Sequence, residues 1–154
     1  MIRLGFLGTG WIGRNRMEAM LATGAAEAVA ICEPNPEASR EAQAAAPKAA
    51  SVESLDELLS VGVDGLVIAT PSALHADQCI AALDAGVAVF CQKPLGRNAE
   101  EVGAVLEAAR RADRPLDVEL SNRHTAAIEA IRDRRRAGNL ETIIAADLVF
   151  HTAY

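Results

Sequence analysis

The stretch LGFLGTGWIGRNR, residues 4–16, places Gly8, Gly10 and Gly13 in the spacing G-x-G-x-x-G. Loops with this spacing bind the pyrophosphate of dinucleotides, but a chain of 154 residues with 11 glycines also produces it by coincidence. The alternative is that the three glycines only turn the chain. A dinucleotide site needs three supports: a strand before the loop, a helix after it, and an acidic residue about twenty positions further on.

The surrounding sequence provides all three supports. The apolar residues 2–7 predict a buried strand, and residues 11–21 predict a helix. Glu33 stands twenty residues beyond Gly13, at the end of a second apolar run. The N-terminus of a helix offers free N–H groups and a partial positive charge to phosphates, and we expect the backbone of Trp11 and Ile12 to contribute. The residues expected to bind the cofactor here are Gly8, Thr9, Gly10, Trp11, Ile12, Gly13 and Glu33.

Each residue of this motif has a physical reason. Gly8 permits a tight turn, Gly10 lets a pyrophosphate approach the backbone, and Gly13 allows the helix to pack closely on the sheet. Glu33 can accept hydrogen bonds from both ribose hydroxyls, and its charge would repel a 2′-phosphate. No Arg or Lys follows immediately, although Arg40 is not far away. We therefore expect NAD rather than NADP.

Apolar runs alternate with amphipathic segments over residues 1–121. Strands that are apolar throughout need cover on both faces, so the alternation predicts a doubly wound α/β fold with a parallel sheet. The predicted strands are residues 2–7, 27–33, 49–52, 65–70, 87–92 and 116–120. The predicted helices are residues 11–21, 36–46, 53–60, 72–86 and 99–113, the fourth with Ser72 as its N-cap and Gly86 as its C-terminal stop.

Residues 122–154 have a different pattern, which we interpret as the first helix and strand of a second, incomplete domain. A helix is predicted at residues 124–137, and residues 142–152 alternate with period two, as in an antiparallel strand covered on one face. The apolar positions of that face are Ile144, Ala146, Leu148 and Phe150. Without a neighbouring strand, residues 142–152 are expected to pair between copies and form a homo-oligomer.

Composition argues against several classes of protein. The formal net charge of -6 is unlike that of a nucleic-acid binder. Cys32, Cys79 and Cys91 form no C-x-x-C pair or Cys/His cluster, so we expect no metal site and reduced thiols. The apolar N-terminus is too short and too rich in glycine for a targeting or membrane segment. We expect a cytoplasmic protein without a membrane or nucleic-acid partner.

Two further segments, ATPSALH (69–75) and FCQKP (90–94), follow the opening motif. In this order the three segments resemble the glucose–fructose oxidoreductase / inositol dehydrogenase family of NAD(P)-dependent sugar and polyol oxidoreductases, over essentially the whole chain. The resemblance implies a nucleotide domain, residues 1–121, followed by an α/β substrate and dimerisation domain. The SNRH segment is similar to the family's crossover between the two, and Asn122 and Arg123 in it are expected to contact substrate.

The resemblance implies roles for individual side chains. Thr70, Pro71 and His75 occupy T-P-x-x-x-H positions that line the nicotinamide half of the cofactor site, although a histidine that only caps or packs is an equal alternative. Lys93 corresponds to the lysine that binds or polarises the substrate oxygen, and its alternative is a surface lysine without a role. Gln92 stands where the family has the acid of E-K-P, so it can hydrogen-bond but brings no charge.

The function implied by the resemblance is hydride transfer between a nicotinamide and a secondary alcohol carbon of a sugar or polyol, with Lys93 as the catalytic residue. The family's substrate domain supplies an Asp and a His for proton transfer, and this chain ends before such a pair. The 154 residues alone are therefore expected to bind cofactor without turnover. The alternative is a non-catalytic dinucleotide-binding module or sensor, which Gln92 favours. A methyltransferase with a related sheet is disfavoured because it would not explain the QKP segment.

Overall fold

The computed structural model describes residues 1–147 and 149. The chain divides into two units, Met1–Glu119 and Leu120–Tyr154. The sequence places a boundary between residues 121 and 122. The assignment of the second unit to a substrate domain stays a prediction.

The first unit alternates strands with helices. The strands are β1 (Ile2–Leu7), β2 (Ala26–Cys32), β3 (Ala50–Val52), β4 (Gly65–Ile68), β5 (Ala88–Gln92) and β6 (Leu116–Glu119). The helices are α1 (Trp11–Ala22), α2 (Pro36–Ala45), α3 (Leu55–Ser60), α4 (His75–Asp84) and α5 (Ala99–Ala112). The sheet order is β3-β2-β1-β4-β5-β6, and every neighbouring pair is parallel. The predicted doubly wound α/β fold is confirmed.

Helices lie on both faces of the sheet, and the alternation of side chains along the strands divides the core in two. On one face Phe6, Ile31 and Val67 pack with Met17 of α1 and Ala42 of α2. On the other face the neighbouring strand positions pack against α3, α4 and α5, in a group that includes Leu7, Leu58, Ile68, Leu83 and Val105. Each such side chain contributes about 1.5–3 kcal/mol on burial, which holds the strands in register.

The helix ends follow most of the sequence signals. Side-chain caps close the first turns of α2, α3 and α5 through Asn35, Ser54 and Asn98. Gly86 takes a φ of +78° directly after α4, which confirms the predicted stop. The predicted N-cap at Ser72 is wrong, because the chain there forms a 3-10 turn closed by the N–H of Leu74 on the carbonyl of Pro71. Helix α4 therefore begins at His75.

The second unit contains a short turn, Ser121–His124, and the helix α6 (Ala126–Arg136). Helix α6 is rich in charged residues, and its Ile131 side chain is exposed. The last turn of α6 carries three arginines, where they complement the negative end of the helix dipole. Within the described residues, no helix combines the length and apolar character needed to cross a membrane.

The strand predicted at residues 142–152 stays a prediction, because the structure describes only part of this segment. Residues 141–147 and residue 149 have no strand conformation, while Leu148 and residues 150–152 lie outside the described residues. A strand requires a neighbour for its N–H and C=O groups. The association of copies through this segment stays a prediction without a described strand behind it.

Candidate functional site

The carboxyl ends of the parallel strands lie along one edge of the sheet, and the register decides which residues are neighbours there. Leu7 of β1 pairs with Cys32 of β2 and Ile68 of β4, and Ile68 pairs with Cys91 of β5. β1 lies where the winding of the chain reverses, and in open α/β sheets such a place forms a crevice that binds ligands. The residues that follow these strand ends are Gly8, Glu33, Ala69, Thr70 and Lys93.

Two of the three motif glycines are required by the fold itself. Gly8 has a φ of +82°, and a Cβ there would lie 2.8 Å from backbone atoms of Ala69 and Thr70. A Cβ on Gly13 would overlap the carbonyl oxygen of Gly8. These two glycines therefore permit the turn after β1 and the close packing of α1, as the sequence predicts.

Gly10 has no such structural reason. Its φ of -56° is open to any residue, and a Cβ on it would meet no described atom within 4 Å. Gly10 is the N-cap of α1, and this helix begins without a side-chain cap and without an acidic residue in its first turn. Because the first N–H groups of a helix lack intrahelical partners, this N-terminus can bind an anion. The open space at Gly10 thus fits the pyrophosphate of a dinucleotide.

The side chains on the two sides of Gly10 differ in exposure. Thr9 is only 1% exposed, and its Oγ1 has no hydrogen-bond partner among the described residues. Trp11 is 74% exposed, and Ile12 beside it is also exposed. The buried Thr9 side chain therefore holds the loop against the core, and the first turn of α1 beside it is exposed to solvent.

Glu33 is held against the glycine loop by backbone hydrogen bonds. Its Oε2 accepts from the N–H of Thr9 at 2.6 Å, and its Oε1 accepts from the N–H of Asn35 at 2.9 Å. A cavity of about 670 Å³ opens beside this carboxylate. Arg40 lines the same cavity, so the cation that is seven residues away in sequence is close to Glu33 in space. The site thus contains one group that disfavours a 2′-phosphate and one that can attract it.

His75 lies buried beneath the open crevice, as the packing alternative expects, and its contact with a cofactor stays a prediction. The side chain is 1% exposed at the start of α4. Its Nδ1 lies 2.7 Å from the carbonyl oxygen of Pro94, and its Nε2 lies 2.8 Å from that of Thr70. The ring therefore connects the chain after β4 to the chain after β5.

Thr70 forms a further hydrogen bond that the sequence analysis did not predict. Its Oγ1 donates a hydrogen bond to Oε1 of Gln78 at 2.6 Å. His75 and Gln78 are three positions apart, so they share one face of α4, and this spacing was the available signal. Pro71, the next predicted site residue, is exposed beside them.

Lys93 is exposed directly after β5, and its backbone is held by its neighbour. The N–H of Lys93 donates to Oε1 of Gln92 at 2.7 Å. Among the described residues no carboxylate forms an ion pair with the Lys93 ammonium. Gln92 therefore positions the lysine without neutralising it, which leaves that charge available to an oxygen atom of a ligand.

Three buried groups beneath this edge of the sheet, His75, Cys79 and Cys91, have shifted pKa values. Burial alone would lower the pKa of His75, but a hydrogen bond with Cys91 and the two carbonyl groups outweigh it and raise the pKa to about 9. The hydrogen bond with Cys79 lowers the pKa of Cys91 to about 6 against the effect of burial, and the positive His75 ring acts in the same direction. The pKa of Cys79 is raised by the same hydrogen bond and by burial.

The remaining predicted site residues belong to the second unit. Asn122 and Arg123 lie in the turn Ser121–His124, and both are exposed. Their contact with a substrate stays a prediction. No group of three or more His, Cys, Asp or Glu side chains that could hold a metal ion occurs in the described part of the chain.

Comparison with known proteins gives the same assignment along the chain. Residues 2–120 match the model of an oxidoreductase family with an NAD-binding Rossmann fold. Inositol 2-dehydrogenase of Acidiphilium cryptum is 39% identical over 118 residues, which cover 75% of this chain and 35% of that protein. Inositol 2-dehydrogenase of Rhizobium meliloti is 33% identical over 146 residues, which cover 92% of this chain and 44% of that protein.

Solved structures agree. The WlbA dehydrogenase of Bordetella pertussis, in complex with NADH and UDP-GlcNAcA, superposes with a TM-score of 0.83 and 37% identity, covering 89% of this chain and 40% of that chain. The present chain thus spans less than half of the length of these relatives. With its family match over residues 2–120 and its parallel sheet, the chain belongs to the Gfo/Idh/MocA oxidoreductase family and forms the N-terminal NAD(P)-binding part.

Proposed function

We propose that this chain binds NAD across the crevice at the carboxyl edge of β1 and β4, and that the protein is an NAD-dependent oxidoreductase of sugars or polyols. The observation that carries the proposal is Gly10, whose missing Cβ serves no packing purpose but leaves the N-terminus of α1 open. Glu33 follows β2, which neighbours β1 on one side, and Lys93 follows β5, which lies beyond β4 on the other side. The relatives include inositol 2-dehydrogenases, which support this substrate class.

The cofactor preference rests on the balance between Glu33 and Arg40. The Glu33 carboxylate already has a fixed orientation, because each oxygen accepts one backbone hydrogen bond. Each oxygen retains a further lone pair for a ribose hydroxyl. The negative charge of Glu33 repels a 2′-phosphate. Because Arg40 is exposed on α2, we expect its attraction for that phosphate to be weaker than this repulsion. We therefore expect NADH to bind at least about tenfold more tightly than NADPH.

Lys93 is the residue that would act on the substrate. Its ammonium group can donate hydrogen bonds to an alcohol oxygen and stabilise negative charge that develops there. When bound, the nicotinamide supplies the hydride chemistry. The Gln92 side chain accepts a hydrogen bond from the N–H of Lys93 at the end of β5. Because Gln92 is an amide, no carboxylate at that position competes with a substrate oxygen for the Lys93 ammonium.

A second candidate is a non-catalytic dinucleotide-binding module or sensor. Gln92 favours it, because an amide replaces the acid that the family carries beside this lysine. Both candidates need the cofactor site, so the choice between them depends on turnover in the complete protein and on the response to a change at Lys93.

The cofactor proposal is tested by titrating NADH and NADPH into the 154-residue chain. Trp11 is the single tryptophan and lies exposed beside the loop, so its fluorescence reports binding. Glu33→Ala should narrow the gap between the two cofactors, since the repulsion is removed while Arg40 remains. Glu53→Ala, which changes a second carboxylate that lines the same cavity, is the matched control and should keep the gap. Equal affinities in the parent chain would contradict the assignment of Glu33 to the ribose.

A further inference from the structure

The buried ring of His75 makes two contacts that no single neutral form can satisfy. Its Nδ1 faces the carbonyl oxygen of Pro94 and its Nε2 faces that of Thr70, at 2.7 and 2.8 Å. A carbonyl oxygen only accepts hydrogen bonds. A neutral imidazole has one N–H, so it would direct the lone pair of its other nitrogen at a carbonyl. Only the imidazolium donates to both.

The surroundings supply the partner that a buried cation needs. The titratable groups that face the ring are the Cys91 thiol on β5 and, hydrogen-bonded to it, the Cys79 thiol on α4. Both cysteines are fully buried. The Sγ of Cys91 lies 3.3 Å from the carbonyl oxygen of Gln92, to which its thiol form donates. Its thiolate form would give a neutral pair with the ring and reduce the free-energy cost of holding the charge in the interior.

The two carbonyl groups belong to the two loops that border the crevice. Thr70 lies two residues beyond the end of β4, and Pro94 directly follows Lys93. The contact between His75 and Pro94 spans nineteen positions of sequence. In the described structure His75 is thus a direct link from α4 and the β4 loop to the residue next to Lys93.

We propose that His75 is a positioning residue that donates from both ring nitrogens to the carbonyls of Thr70 and Pro94 and thereby fixes Lys93 at the edge of the crevice. The part that concerns Lys93 deepens the proposed function and rests on it. The doubly protonated link itself does not depend on any cofactor.

The first test measures the protonation of the His75 ring directly. Nitrogen-15 spectra of the histidine rings in the cofactor-free 154-residue chain should show both His75 nitrogens carrying a proton at pH 7. His75→Gln assigns the signals, and the exposed His124 provides a reference in the same spectra. A His75 ring with one unprotonated nitrogen at pH 7 would overturn the proposal.

The second test asks whether the ring acts on Lys93. The backbone amide signal of Lys93 is followed from pH 7 upwards, and a step with a midpoint of about 9 is expected as the ring loses its proton. His75→Gln should lose this step, whereas Gln78→Ala should keep it because Gln78 is bound only to the Thr70 side. Lys93 is present in all three proteins, so its own titration cancels in the comparison.

The outcomes separate this proposal from the proposed function. A Lys93 amide that does not follow the ring would overturn the positioning role even if the ring is doubly protonated. If His75→Gln does not fold, the parent chain still decides, because the step of the Lys93 amide must share its midpoint with the His75 ring nitrogens, and two different midpoints overturn the positioning role. NADH titration of the parent chain tests the cofactor site independently, because none of these spectra requires bound cofactor.

Discussion

Replacing Gly10 by alanine should separate the requirements of the fold from those of the ligand. The new methyl group would meet no described atom within 4 Å, and a φ of -56° suits alanine. Alanine is a poorer N-cap than glycine, by up to about 1 kcal/mol. It also restricts the unfolded chain, which returns about 0.4–1 kcal/mol. The free energy of unfolding should therefore change by less than about 1 kcal/mol.

The affinity for NADH should respond differently to Gly10→Ala. The methyl group would occupy the space through which a pyrophosphate reaches the first N–H groups of α1, and we expect at least tenfold weaker binding, about 1.4 kcal/mol. Calorimetric titration measures this without relying on the fluorescence of the adjacent Trp11. Urea unfolding of the same protein measures stability.

Two other glycines provide matched controls for Gly10. Gly103 lies inside α5, and a Cβ there also meets no described atom within 4 Å. Gly103→Ala should stabilise the chain by about 0.5–1 kcal/mol and leave NADH binding unchanged. Gly13→Ala should destabilise it by about 1–3 kcal/mol, because its Cβ collides with the backbone of Gly8. Normal NADH affinity in Gly10→Ala would refute the reasoning.

Further expectations concern charge and protons. Arg40→Ala should weaken NADPH binding by about two- to fivefold with little effect on NADH, measured by the same titration, since an exposed cation contributes up to about 1 kcal/mol. Lys93→Met in the complete protein should lower kcat by about 10²-fold while NADH affinity stays constant; an unchanged kcat would make Lys93 a surface lysine without a role in turnover. Folding raises the pKa of His75 from 6.5 to about 9, so its stabilisation is complete below pH 6.5 and is lost as pH rises through 9. Folding lowers the pKa of Cys91 from 9.0 to about 6, so its stabilisation is present above pH 9 and is lost as pH falls through 6. These two contributions cancel between pH 6.5 and 9, so urea unfolding should give a constant free energy there for the parent chain. In His75→Gln the hydrogen bond with Cys79 still lowers the pKa of Cys91, so the free energy of unfolding should rise with pH in this range, by up to about 1.4 kcal/mol per pH unit.

The sequence was sufficient for the sheet because its strands are buried on both faces. A segment such as GLVI in β4 is completely buried, and continuous apolar character of this kind identifies a central parallel strand. Gly8, Gly13 and Glu33 were predictable for a related reason, since their roles depend on their own backbone or on the end of their own strand. Local chemistry carries enough information at these positions.

The features that the sequence leaves open depend on contacts distant in sequence. The direction of the His75 ring is set by the carbonyl of Pro94, nineteen residues further on. The alternation in residues 142–152 describes how a strand would face a neighbour and does not identify that neighbour. Periodicity predicts which side chains share a face and leaves open what covers it.

The uncapped first turn of α1 also has a consequence for how long the protein survives. In the proposed complex the cofactor phosphates supply the hydrogen-bond acceptors that Asn35, Ser54 and Asn98 supply to other helices. A ligand that binds only the folded chain stabilises it by about 2.7 kcal/mol at a concentration one hundred times its Kd. Resistance to proteolysis would then follow the supply of dinucleotide, so that a cell depleted of NAD would lose this protein faster than one that is replete.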